Sequence, residues 1–99
     1  MIYNKILKWA KVRGILDSGD PKTQLIKLVE EQGELAEAIL KNNKEEVKDA
    51  VGDMIVVLTN LSYFYDLTIP ECVESAYNEI KNRKGKIINN TFVKDENSK

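Results

Sequence analysis

Apolar residues recur along this chain at the three-to-four-residue spacing of helices that bury one face. Ile2, Ile6, Leu7, Trp9 and Ala10 predict an amphipathic helix over residues 1–13, stopped by Gly14. Residues 15–19 read as a turn, and Asp20 followed by Pro21 has the form of an N-cap with proline at the first helical position. The helix that opens there carries the stripe Leu25, Leu28, Val29, Leu35, Ala36 and Ile39, and Asn42-Asn43 breaks it after about Lys41. Asn43 with Glu46 three residues on resembles a capping box for a helix over residues 44–65, whose stripe is Val47, Ala50, Val51, Met54, Leu58 and Leu61. Thr68, Pro70 and Glu71 mark the start of a fourth helix, apolar at Val73, Ala76, Tyr77 and Ile80 and running to about Arg83. A basic turn and a short, partly apolar segment follow, then a polar tail from Lys94 that is expected to be disordered. The pattern predicts one all-α domain over residues 1–93, a four-helix, bundle-like fold around a central helical hairpin.

The hairpin is where chemistry is expected. In Glu30-Glu31-Gln32-Gly33-Glu34 and in Asp49-Ala50-Val51-Gly52-Asp53, a carboxylate directly follows a glycine inside a helix. At 3.6 residues per turn, Glu31 and Glu34 point about 60° apart, and Asp49 and Asp53 about 40° apart, so each pair shares a face beside its apolar stripe. Glu46, Asp49, Asp53 and Asn60 fall within a stripe roughly 60° wide. If the two stripes pack antiparallel, acids from both helices converge and repel unless a cation sits between them. Ligands that are all oxygen suit magnesium or manganese. Any one of these acids can also be a solvated surface charge or a lysine partner. Gly33 and Gly52 each cost a helix about 1 kcal/mol relative to alanine, which predicts close approach of a second backbone or of a ligand.

Composition narrows the rest. Ninety-nine residues with 42% hydrophobic content make a small core, and an apolar face left over favours self-association, so a homo-oligomer is expected. The net charge of −1 gives no footprint for a nucleic-acid polymer. With no histidine, Ser-His-Asp and Cys-His machinery and the usual zinc sites are excluded. The one cysteine, Cys72, reads as a small core residue, and no apolar run has the length of a membrane span, so a reducing, cytoplasmic setting is expected. Lys81, Arg83, Lys84 and Lys86 supply positive charge suited to a polyphosphate or, equally, to a helix C-terminus. Trp9 either fills core, the reading a lone tryptophan favours, or stacks on a base.

The stretch Lys27-Leu-Val-Glu-Glu-Gln-Gly-Glu-Leu-Ala-Glu-Ala-Ile39, with Lys48-Asp-Ala-Val-Gly-Asp-Met-Ile-Val-Val-Leu58 and the ending Asn78-Glu-Ile-Lys-Asn-Arg-Lys-Gly-Lys86, resembles the MazG-like all-α nucleoside triphosphate pyrophosphohydrolases. The likeness runs from about Pro21 to Val93. It implies magnesium bound by the pattern E-x-x-E followed by E-x-x-D, which falls here on Glu31, Glu34 and Asp53. The third acid departs: Ala50 stands where the family has glutamate, with Asp49 or Glu46 as the nearest replacements. The resemblance further implies hydrolysis of a (d)NTP to the monophosphate and pyrophosphate, with Glu31 or Glu34 also acting on the attacking water. The alternative is a nucleotide-binding or regulatory module in which the change at Ala50 has removed catalysis.

Overall fold

A computed structural model of the chain describes residues 1–96, and the end of the predicted polar tail, residues 97–99, lies outside the described residues. The elements in order are α1 (Ile2–Val12), α2 (Ile15–Ser18), α3 (Pro21–Leu40), α4 (Lys44–Tyr63), α5 (Ile69–Ile80), β1 (Gly85–Ile88) and β2 (Thr91–Lys94). The chain divides into two compact units, one ending at Ile69 and the other beginning at Pro70.

Local chemistry sets the boundaries in the first unit. Gly14 takes φ +79°, a left-handed conformation that ends α1 and starts α2, so the predicted turn over residues 15–19 is instead a single helical turn. The Asp20 carboxylate accepts a hydrogen bond from Thr23 N–H at 2.8 Å, and Pro21 occupies the first turn of α3. That bond holds the Asp20 carboxyl below its ordinary range. At the other end, Asn42 is left-handed at φ +54°, Asn42 N–H donates to Ile39 O, and Asn43 N–H donates to Ala38 O, both at 3.0 Å. These two bonds form a Schellman motif that satisfies the last carbonyls of α3. Asn43 then caps α4, its side-chain oxygen accepting from Glu46 N–H at 3.1 Å. One asparagine pair thus both ends α3 and begins α4.

The α3–α4 hairpin is the spine of this unit. On α3, the residues withdrawn from solvent are Gln24, Leu28, Glu31, Leu35 and Ala38; on α4 they include Val47, Ala50, Met54, Val57 and Leu61. Both series alternate steps of three and four, the spacing of a coiled-coil seam. The predicted α4 stripe is therefore largely correct, except that Val51 is exposed. The α3 stripe is not: Leu25, Val29 and Ile39 lie on an outward apolar face, together with Ile26 and Leu40. A heptad seam is narrower than the apolar surface of α3, so it takes one edge and leaves the rest outside. On α1, Ala10 is fully buried, whereas Trp9 is 44% exposed and so is not the core residue expected.

Neither helical glycine is explained by packing. A Cβ added at Gly33 or Gly52 would meet nothing within 4 Å among the described residues, which corrects the expected close approach of another backbone.

The second unit holds α5 beyond its first residue and an antiparallel hairpin pairing Gly85 with Lys94, Lys86 with Val93, Ile87 with Phe92 and Ile88 with Thr91. Helix α5 ends at Ile80 rather than Arg83. Asn89 and Asn90 have φ +51° and +65°, the left-handed pair that a two-residue hairpin turn requires. Lys94, expected in the tail, closes β2, and Asp95 N–H donates to Lys84 O at 2.8 Å. Cys72 is half-buried.

Two substitutions test this account by urea denaturation. Asn43→Ala removes a cap and should lower stability by about 1 kcal/mol. Gly33→Ala adds a methyl group that meets no protein atom and should raise it by about 0.5–1 kcal/mol.

Candidate functional site

The heptad seam places a carboxylate in the core. Glu31 occupies the α3 seam position between Leu28 and Leu35 and is only 6% exposed. One of its oxygens, Oε1, lies 3.4 Å from Lys27 Nζ, one helical turn earlier, and the same ammonium is 3.5 Å from Glu30. Those two carboxylates raise the Lys27 pKa, Glu31 more than Glu30. The second oxygen, Oε2, is buried with no hydrogen-bond partner. A buried, unpartnered carboxylate oxygen is costly, and a ligand that satisfies it removes the cost.

Glu34 and Asp53 complete the group. One oxygen from each of Glu31, Glu34 and Asp53 lies within 4.8 Å of the others, the separation from which a single cation can be held. Repulsion is visible in the proton affinities. Glu34, at the exposed edge, is raised chiefly because a proton on it can be donated to Glu31, and further by the negative charge of Glu31. Asp53 is raised by partial desolvation and then by the charges of Glu31 and Asp49, against a smaller opposing effect of Lys27. The set contains only hard oxygen donors, so it fits magnesium or manganese.

The other predicted acids stand nearby but outside this trio. Asp49 and Glu46 line a groove between α3 and α4 with Glu34, Glu37, Lys41, Ala50 and Asp53, enclosing about 270 Å³. Ala50 is 4% exposed and offers no donor there. Lys41 bridges the two helices at this groove, 2.9 Å from Glu37 and 4.0 Å from Glu46. Asn60, also on α4, is buried, and its side-chain oxygen has no partner. Trp9 carries the Arg13 guanidinium 4.6 Å from its ring centroid and shares a second groove with Asp53.

The four basic residues near the chain's end are in the second unit. Lys81 donates to Asn78 at 3.3 Å, Arg83 has a buried, unpartnered Nε, and Lys86 pairs with Val93 across the hairpin. Lys84 accepts from Asp95 N–H through its main-chain carbonyl. Sequence reasoning overlooked Lys27, although its i,i+4 spacing to Glu31 was available as a signal.

Comparison with known proteins agrees with this geometry. The profile of the MazG nucleotide pyrophosphohydrolase domain matches residues 20–88, from the cap of α3 to the end of β1. An uncharacterized 18.2 kDa protein in the rep-hol intergenic region of Haemophilus phage HP1 is 38% identical over 61 residues. That match takes in 62% of this chain but spans only 37% of the phage protein. No solved structure gives a significant match. A family match over more than half of the chain, with its acidic helices forming a cation-sized carboxylate group, makes this chain a member of the MazG nucleotide pyrophosphohydrolase domain family.

Proposed function

We propose that the protein hydrolyses nucleoside or deoxynucleoside triphosphates to the monophosphate and pyrophosphate, with magnesium (or manganese) held by Glu31, Glu34 and Asp53. The observation that carries this reading is the buried, unpartnered oxygen of Glu31 beside two further carboxylates whose proton affinities are raised. When bound, the ion supplies charge neutralisation for the phosphates and Lewis acidity at the reacting phosphoryl group. Glu31, pinned through Oε1 by Lys27, is the positioned ligand. Glu34, exposed where Glu31 is buried, is the carboxylate of the pair placed to take a proton from water. In the reaction, the oxygen of water bonds to the α-phosphorus, the bond from that phosphorus to the α,β-bridging oxygen breaks, and pyrophosphate leaves while Glu34 takes the water's proton.

Asp49 and Glu46, on the rim of the α3/α4 groove, support the site through charge. Asn60 remains a proposed substrate contact, and Lys81, Arg83, Lys84 and Lys86, in the second unit, remain proposed sources of positive charge for a polyphosphate. One observation favours a second reading, a nucleotide-binding module without catalysis: Ala50 contributes no ligand to the groove it lines with Glu34 and Asp53.

The outward apolar face of α3, carrying Leu25, Ile26, Val29, Ile39 and Leu40, supports assembly into a homodimer or homotetramer. Among the described residues no helix is long and apolar enough to cross a membrane.

Pyrophosphate release from a panel of NTPs and dNTPs should require magnesium and should fall by at least about a hundredfold in Glu34→Gln and Asp53→Asn. Magnesium-dependent nucleotide binding without release by the parent protein would select the second reading.

The raised Asp53 predicts a pH-dependent stability difference. An acid whose folded pKa is raised binds more protons when folded, so its unfavourable contribution grows as pH rises through the folded value. In EDTA, Asp53→Asn should therefore be more stable than the parent at neutral pH, the gap closing on acidification. Added magnesium should stabilise the parent but not the variant, by thermal melting.

For assembly, Val29→Lys should shift sedimentation toward the monomer while leaving the helical circular dichroism of the monomer intact.

A further inference from the structure

Two grooves meet at Asp53, and they differ in the charges and apolar groups around it. The α3/α4 groove is lined by Glu37, Glu46 and Asp49, and its one lysine, Lys41, is already paired with Glu37 at 2.9 Å. A polyphosphate placed there meets like charge. The groove between α1 and α4 shares Asp49 and Asp53 with that groove but adds Lys5 and Lys48 and the apolar side chains of Ile2, Ile6, Val56 and the exposed Trp9. Its two connected hollows measure about 350 and 860 Å³. Neither Lys5 nor Lys48 forms an ion pair among the described residues. Gly52 forms part of this groove, and a Cβ there would enter open space rather than touch protein.

Resting on the pyrophosphohydrolase reading, we propose that the nucleotide lies in the α1/α4 groove. Lys5 and Lys48 hold phosphate oxygens that project beyond Asp53, Trp9 with Ile6 and Val56 faces the base, and Gly52 is bare so that the ligand can approach the α4 backbone. This assigns a physical reason to a helical glycine that packing leaves unexplained. The helix supplying Lys5 and Trp9 precedes residues 20–88, the region matched to the family, whereas Lys48, Gly52 and Val56 lie within it. Two unpaired ammonium groups provide charge-assisted contacts to a polyphosphate, and an indole face stacks on any base. The groove therefore selects for the triphosphate and tolerates different bases.

Trp9 is the only tryptophan, so its emission reports on the groove directly. The test titrates the protein with α,β-methylene-ATP and α,β-methylene-dTTP in magnesium, following tryptophan fluorescence and, separately, calorimetric heat. Both analogues should bind and change the emission, and Lys5→Gln and Lys48→Gln should each weaken binding about 10- to 100-fold. Gly52→Ala should melt at a higher temperature than the parent yet bind the analogues more weakly, a pairing that a merely structural glycine would not give. If the analogues bind calorimetrically and the parent releases pyrophosphate, but emission and affinity are unmoved by groove occupancy and by these variants, the groove assignment is overturned while the enzymatic reading stands. If neither analogue binds by either method, both fall.

Discussion

A carboxylate in a coiled-coil seam constrains everything else in the α3–α4 hairpin. Seam positions normally carry apolar side chains, as Leu28, Leu35, Val57 and Leu61 do here. Glu31 takes such a position, with Lys27 Nζ 3.4 Å from one of its oxygens. The other oxygen is left buried and unsatisfied, between an α3 neighbour and an α4 neighbour of the same charge. Repulsion that would push the helices apart becomes attraction once a cation is shared, so in the proposed reading the feature that weakens the hairpin by itself is the one that binds the ion.

The surrounding structure tolerates this cost by being well terminated locally. Asp20 and Asn43 cap the two long helices, and the Asn42-Asn43 pair turns the chain without a glycine. Lys41 ties the ends of the hairpin through Glu37 and Glu46. The core itself is thin: its buried apolar residues include Ala10, Ala38 and Ala50, and no large side chain among the described residues is fully buried. Much of the apolar surface on α1 and α3 faces outward, which fits a chain completed by association and by ligand.

How much of this was legible follows from which signals are local. Caps and breaks are written in two to four adjacent residues, so α3 and α4 were placed almost to the residue. The hairpin over residues 85–94 was not predicted, although Asn89-Asn90 between Ile87-Ile88 and Phe92-Val93 is a hairpin signal, because both strands are exposed along their whole length and carry no alternation of buried and solvent-facing positions. The α3 stripe was misassigned because Leu25, Val29 and Ile39 are as apolar as the seam itself, and periodicity alone cannot say which edge of a broad face meets its partner. At the site, Glu31, Glu34 and Asp53 were readable from spacing and resemblance. Lys5 and Lys48 were not, since their significance depends on α1 lying along α4, a contact between segments about forty residues apart in sequence.

The most direct test of the central claim is Mn²⁺ binding followed by electron paramagnetic resonance, comparing the parent protein with Glu31→Gln. The account predicts saturable binding by the parent and at least about a tenfold loss of affinity in the variant, whose amide keeps the seam's volume but removes the charge. Equal Mn²⁺ affinity in the two proteins, with helical content unchanged, would contradict it.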